Sequence, residues 1–252
     1  MKQNAHSEDN EWLSRCEDFE QSVQKYKSVR FSHFVSPHEQ AVFKTQYRLS
    51  PDVKCSSYGG SEDAERVILA FYPDFLELDE SEFPIVALCI SNIGSATHRD
   101  VLGSVLGLGI KRDMVGDIYF DSGKAYVMCE RTAADYIMFN LKTVGRQKVE
   151  VTECPADAAF SLRHEFEMVS VIVSSPRLDA VLAAVCRLSR NDASKHIASE
   201  NVNVNFKAES NPDKKLSEGD VVSVRHHGRF VVESALGETR KGRIILEIKK
   251  YI

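Results

Sequence analysis

The chain has 252 residues, with 43% hydrophobic and 27% charged positions and a formal net charge of −5. That length exceeds the usual single core, so two or three domains are expected, each able to bury apolar side chains. No apolar run reaches the roughly 18 residues that span a bilayer, and the polar start Met1–Asn10 lacks a secretory apolar segment. A cytoplasmic protein without a membrane partner is expected. The six cysteines, at 16, 55, 89, 129, 154 and 186, form no Cys-x-x-Cys pair. They read as reduced, mostly buried thiols rather than a zinc site.

The net charge conceals a gradient. Residues 1–82 hold 9 Lys and Arg against 16 Asp and Glu, residues 83–175 hold 9 against 11, and residues 176–252 hold 14 against 10. Any polyanion contact is therefore expected to centre on the C-terminal part.

In chain order, Trp12, Cys16, Phe19, Val23 and Tyr26 recur at spacings of three and four, which predicts a helix over residues 8–28. Ser36-Pro37-x-Glu39 has the form of a capped helix start, with a helix to about Leu49. A short extended stretch follows Pro51, then a turn at Tyr58–Ser61 and a strand from Arg66 to Tyr72. The acidic residues 74–82 read as a linker or exposed turn.

The middle third alternates regularly. A strand is expected at Pro84–Ser91, a helix at Thr97–Leu108 and two strands at Asp117–Phe120 and Ala125–Cys129 around an Asp-Ser-Gly-Lys turn. A helix at Thr132–Leu141 and a strand at Gln147–Thr152 complete the series. This βαββαβ order is that of a ferredoxin-like, RRM-like domain, an order many RNA-recognition domains share. Met168–Val173 forms a further strand before a boundary at Ser174-Ser175-Pro176. Beyond it come two short helices, the second capped by Ser189, and strands near Val202–Val204, Asp220–Val224 and Ile244–Ile248. The expected fold is α+β in three parts: an α-rich region over 1–82, the ferredoxin-like domain over 83–175 and a small αα-plus-β module over 176–252.

The C-terminal run Arg177-Leu178-Asp179-x-x-Leu182, Ser189-Arg190-x-x-Ala193, Val202-x-Val204-Asn205 and Glu218-Gly219-Asp220-x-Val222 resembles the RNA-binding domain first seen in small-subunit ribosomal protein S-four. Its chemistry is intelligible without that likeness. Arg177, Arg190 and Lys195 are cations on two short helices, and the helix start at Ser189 offers amide donors to a phosphate. Asn205, Lys207, Arg225, His226, His227 and Arg229 add donors on the sheet side. Such contacts read RNA shape and backbone rather than base sequence. Competing readings remain: Arg177 as an ion pair with Asp179 or Asp192, and Lys207, Lys214 and Lys215 as a solvated face. Two positions usually held by Gly in that domain are Asn201 and Phe206 here. Asn tolerates a left-handed backbone; the Phe206 ring alters the turn or stacks on a base. Reversing Arg190 and Lys195 together to Glu is expected to abolish binding without unfolding.

Upstream, Pro37-His38-Glu39-Gln40, Tyr58-Gly59-Gly60-x-Glu62-Asp63-Ala64-Glu65-Arg66, Thr97-His98-Arg99-Asp100, Leu102-Gly103, Leu106–Arg112, Gly116-Asp117-Ile118 and Val144-Gly145-Arg146 are similar to the bacterial YlmH proteins. The resemblance runs from about residue 30 to the end. It implies a ribosome-associated RNA-binding protein, linked to quality control on stalled large subunits carrying peptidyl-tRNA and encoded near cell-division genes. The partners implied are ribosomal RNA, tRNA and the large subunit, with cell-division proteins as an alternative. In the middle domain His98, Arg99, Lys111, Arg112 and Arg146 are the candidate contacts. Thr97 would cap the helix and set His98 and Arg99 at its electropositive end. A structural histidine is the alternative for His98, and helix C-terminal capping the alternative for Lys111-Arg112.

No catalytic residues, metal ligands, small-molecule substrate or cofactor are expected. His98-Arg99-Asp100 spells the kinase triplet, but the Asn that the motif requires does not follow and no phosphate loop precedes it. No Walker loop, His-x-x-x-His pair or Ser, His and Asp set stands out. An RNA-modifying enzyme is the weaker alternative, since 83–155 is short for a cofactor-binding doubly wound sheet.

Overall fold

The computed structural model describes residues 2–155, 162–164 and 166–251. The chain divides into two compact units, Met1–Arg163 and His164–Ile252.

In the first unit, helix α1 (Lys2–Tyr26) precedes strand β1 (Arg30–Val35) and helix α2 (Pro37–Gln46). The spacing of Trp12, Cys16 and Val23 buries one stripe of α1, and the Trp12 indole N–H donates to the Glu39 carbonyl at 2.9 Å. The sequence signal at Ser36 is realised as a reciprocal capping box with Glu39, with Pro37 in the first turn. The helix ends at Gln46, three residues short of Leu49. Strands β2 (Val53–Tyr58) and β3 (Val67–Pro73) complete an antiparallel sheet of order β1-β3-β2.

Strand β3 is apolar throughout because it is buried on both faces. Val67, Leu69 and Phe71 pack with Trp12, Cys16 and Val42 under the helices. Ile68 and Ala70 face the other way, against a second sheet.

That second sheet is built from β4 (Ile85–Ser91), β5 (Val115–Asp121), β6 (Lys124–Glu130) and β9 (Glu150–Glu153), in the order β5-β6-β4-β9. All its pairings are antiparallel, and the first strand lies between the third and fourth, as the split βαβ order requires. Helices α3 (His98–Leu106) and α4 (Arg131–Asn140) cover one face through Val86, Leu88, Ile90, Val101, Val105, Val127 and Ile137. The expected closing strand Gln147–Thr152 is two elements. A short hairpin of β7 (Thr143–Val144) and β8 (Gln147–Lys148) stands apart, and β9 alone joins the sheet.

The opposite face of this sheet is covered over its centre. Ala87, Tyr119 and Met128 pack against Phe34, Ile68, Ala70 and Phe83, joined by Tyr58, Cys89 and Tyr126. The two sheets are therefore faces of one core, which is why residues 1–82 are not a separate domain. Gly116 makes the approach possible: a Cβ there would lie 2.6 Å from Phe34 Cε1 and 3.0 Å from Met128 Cβ. Asp117 ties the layers in polar fashion. Its buried carboxylate accepts the backbone N–H of Glu65 at 2.6 Å and of Arg66 at 3.1 Å. The Arg66 guanidinium in turn donates to the Phe34 and Val115 carbonyls.

The second unit starts earlier than the expected boundary at 175/176. Strand β10 (Phe166–Val173) pairs along its whole length with β15 (Ile244–Tyr251), so it belongs to the C-terminal sheet. The sheet order is β10-β15-β14-β13-β11-β12, with β11 (Val202–Val204), β12 (Lys207–Ala208), β13 (Val221–Val224) and β14 (Gly228–Glu238). Helices α5 (Leu178–Cys186) and α6 (Arg190–Ala198) cover its inner face through Leu178, Val181, Leu182, Ala193 and Ile197. Strand β14 escaped the sequence reading. Register shifts at Val232/Ser234 and Ala235/Gly237 break its period-two alternation, so no pattern survives over its length.

All six cysteines are free thiols. Burial pushes the thiols of Cys16, Cys55 and Cys129 up to about 12, so they are protonated at neutral pH. Among the described residues no helix is long and apolar enough to cross a membrane, and no three His, Cys, Asp or Glu side chains cluster as metal ligands.

Candidate nucleic-acid interface

In the C-terminal unit, the two helices converge on one carboxylate. Arg177, at the start of α5, donates to both oxygens of Asp179 at 3.1 Å and forms an ion pair with Asp213. Arg190, the first residue of α6, reaches Asp179 Oδ2 at 2.9 Å. Asp179 is 5% exposed, whereas both guanidinium groups keep an accessible edge. Of the two ion-pair readings for Arg177, the structure selects Asp179 and adds Asp213 in place of Asp192. A buried acid thus presents two arginines from adjacent helix starts, spaced and oriented before any ligand arrives.

Burial raises the Asp179 carboxyl, but the hydrogen bonds from Arg177 and Arg190 outweigh it and hold the group below its ordinary value of 3.8. Its folded value lies below its unfolded one. The stability it supplies is therefore fully present above pH 3.8 and is lost as pH falls through the folded value. In Asp179→Asn the C-terminal unit should lose stability at neutral pH and show a flatter acid limb. Urea midpoints between pH 2 and 7 measure this, and parallel curves for the two proteins would exclude it.

The start of α6 is less open than the sequence suggests. Ser189 Oγ accepts the Asp192 N–H at 3.1 Å, and the Ser189 hydroxyl donates to the Asp192 carboxylate at 2.7 Å. A fixed anion thus already sits at that helix end, and Lys195 lies 3.4 Å from the same group. The expectation that Arg190→Glu with Lys195→Glu leaves the fold intact needs correcting. Glutamate at 190 would set a like charge against the buried Asp179 carboxylate.

The sheet-side residues divide between two tasks. Asn205 is structural: its side chain donates to Asp220 Oδ1 at 2.7 Å and accepts the Val221 N–H at 2.9 Å, at a backbone φ of 50°. Phe206 follows at φ 66°, so the turn keeps a left-handed backbone without glycine. The left-handed residue near the other departure is Glu200 (φ 54°) rather than Asn201. The Arg229 guanidinium lies 5.6 Å from the Phe206 ring and 5.3 Å from Tyr251. Since Val222 and Phe230 point into the core, Ser223 and Arg229 point to the sheet face away from the helices. Arg229 is therefore not on the surface of Arg177 and Arg190. Exposed Arg225 approaches the Asn201 side chain at 3.5 Å, beside the rings of His196 and His227, whose centroids are 5.3 Å apart. Lys207 is exposed on the short strand β12.

In the first unit the candidates fall into two groups. Thr97 caps α3 in a reciprocal box with Asp100, so here too a carboxylate occupies the helix start next to exposed His98 and Arg99. The loop before it touches the β7–β8 hairpin: a Cβ at Gly94 would lie 3.3 Å from the Gln147 side chain. Arg146, at the hairpin tip, belongs to the same side.

Lys111 and Arg112 lie elsewhere. Helix α3 ends on Gly107, and Arg112 instead donates to the Val115 and Gly116 carbonyls, so the pair does not cap that helix. With Arg15, His33 and Arg66 they line a cleft of about 640 Å³ that also contains Glu39 and Asp113. Sequence reading missed this cleft because its walls come from α1, β1, α2 and the segments just before β3 and β5.

A family model described as "Putative RNA-binding domain in YlmH" matches residues 83–158, which span the four-stranded sheet, α3, α4 and the hairpin. The chain is 27% identical to ribosome-associated protein quality control protein P2 of Bacillus subtilis (strain 168) over 244 residues, covering 96% of this chain and 95% of that protein. The solved structure of cell division protein ylmH from Streptococcus pneumoniae aligns with a TM-score of 0.53 at 25% identity, covering 61% of this chain and 95% of that one. With the YlmH sequence motifs borne on this framework, residues 83–158 match the YlmH RNA-binding domain and the chain as a whole is similar to YlmH proteins.

Proposed function

We propose that the chain is a non-catalytic RNA-binding protein that acts on the ribosome, in quality control of stalled large subunits. In this reading the C-terminal unit is an S-four-type module that grips a ribosomal RNA helix. The first unit contacts tRNA or neighbouring RNA. The observation that carries the proposal is the pair Arg177 and Arg190, held at adjacent helix starts by buried Asp179. Forked cations with a fixed separation suit backbone phosphates of structured RNA. The name of the Bacillus subtilis relative supports the ribosomal setting.

The test is ultraviolet crosslinking in cells, with sequencing of the attached RNA. Reads on one large-subunit ribosomal RNA helix, with tRNA alongside, are expected. In vitro, Lys195→Glu with Arg225→Glu leaves the Asp179 bridge intact and should weaken ribosome binding at least tenfold, with a shallower salt dependence. Diffuse reads and unchanged affinity would sink the reading. They would favour a cell-division adaptor instead, a reading in keeping with the name of the Streptococcus pneumoniae neighbour, a cell division protein.

A further inference from the structure

An RRM binds RNA on the open face of its four-stranded sheet, where aromatic side chains stack on bases. Here the centre of that face is covered. Tyr119 is 1% exposed, and Met128 and Ala87 are buried beneath Phe34, Ile68 and Phe83 of the first sheet and its linker. A single-stranded RNA could reach these central positions only by prising apart the core of the unit. If this domain binds RNA, it does so on another surface.

The helical side supplies one. On α4, Ala133, Ala134 and Ile137 face the core, which turns Tyr136 and Phe139 outward; they are 50% and 76% exposed. Two rings so exposed, three residues apart on one helix, form an apolar patch rather than a single exposed side chain. Lys142 follows directly, its Nζ 5.5 Å from the Phe139 ring centroid. The Lys142 carbonyl accepts the Val149 N–H, which fastens the β7–β8 hairpin beside the end of α4. The hairpin exposes Arg146 and Lys148, and its Gln147 touches the loop leading to Arg99. Two exposed rings and four cations thus follow one another across a continuous surface, within the stretch matched by the RNA-binding family model.

We propose that this helix-and-hairpin side, not the sheet face, is the RNA surface of the first unit, and that it takes unpaired RNA. Tyr136 and Phe139 stack on exposed bases, while Lys142, Arg146, Lys148 and Arg99 neutralise the adjoining phosphates. Alternating rings and cations suit a single strand, because in a duplex the base faces are already stacked. The inference rests on the RNA-binding reading above but assigns a different surface and a different RNA form from the C-terminal grip.

The test uses the full chain with a fluorescein-labelled single-stranded oligouridylate and, separately, a duplex of equal length, followed by fluorescence anisotropy. Tyr136→Ala with Phe139→Ala should weaken single-strand binding about tenfold or more, as expected for two lost stacking contacts. Duplex affinity and the far-ultraviolet circular dichroism should be unchanged, because both rings lie outside the core. Lys142→Gln with Lys148→Gln should lower the salt slope for the single strand only. Unchanged single-strand affinity in the aromatic variant would overturn the proposal. If Lys195→Glu with Arg225→Glu still weakened ribosome binding, the C-terminal reading would survive that failure. A wild-type dimer lost in the aromatic variant, with RNA affinity intact, would instead assign the patch to a second copy of the chain.

Discussion

A fragment starting at residue 176 is expected not to fold, whereas one starting at residue 164 should fold as a cooperative unit. The sequence places a boundary at Ser174-Ser175-Pro176, and cutting the chain there removes all of β10. That strand makes an unbroken ladder with β15 from Phe166↔Tyr251 to Val173↔Ile244. It also contributes Val171 and Val173, 7% and 4% exposed, to the core under α5 and α6. Losing two buried valines costs about 3 kcal/mol or more in transfer free energy alone. Deleting the strand also bares the edge of β15, whose apolar residues then invite pairing with other chains. For so small a unit, that loss is a large part of a total stability of about 5–15 kcal/mol. Thermal unfolding of the two fragments, followed by circular dichroism and sedimentation, provides the comparison. A monomeric 176–252 fragment with the same midpoint as 164–252 would show that β10 is dispensable.

Asp117→Ala is expected to destabilise the first unit by about 3 kcal/mol or more, since two backbone N–H groups lose their acceptor in a buried site. Arg66, whose own charged form burial disfavours, also loses the carboxylate that most supports it. In a unit of this size, a loss of that order lowers the Tm by roughly 6 °C or more. Asp117→Asn keeps one carbonyl oxygen to accept the amides and should lose less. Urea unfolding of both variants measures the effect. An alanine variant with a wild-type midpoint would mean that water replaces the carboxylate at no cost, against its 7% exposure.

Both predictions turn on pairings between distant stretches of chain, where sequence reading is weakest. Local signals were legible. The capping box at Ser36 and Glu39, the helix starts at Thr97 and Ser189, and the apolar stripe of α1 are encoded within a few residues and appear where expected. So are the strands Ile85–Ser91 and Lys124–Glu130, whose apolar runs fit strands packed on both faces. The strand β14 was not legible, since its bulges erase the alternation.

By itself, then, the sequence determined element types over most of the chain, the α+β class, the basic C-terminal end and the likeness to YlmH proteins. It also held the cations of the C-terminal helices, but not their arrangement. Only tertiary structure decided that Asp179 gathers Arg177 and Arg190, that Asn205 is spent on Asp220 and Val221, and that Arg229 faces away from both arginines. It likewise covered the centre of the sheet face an RRM leaves open, by laying β3 against it. The reason is physical: capping and periodicity act within a turn or two of chain, whereas the partner of a charge or a sheet face is set by which distant segments share a core.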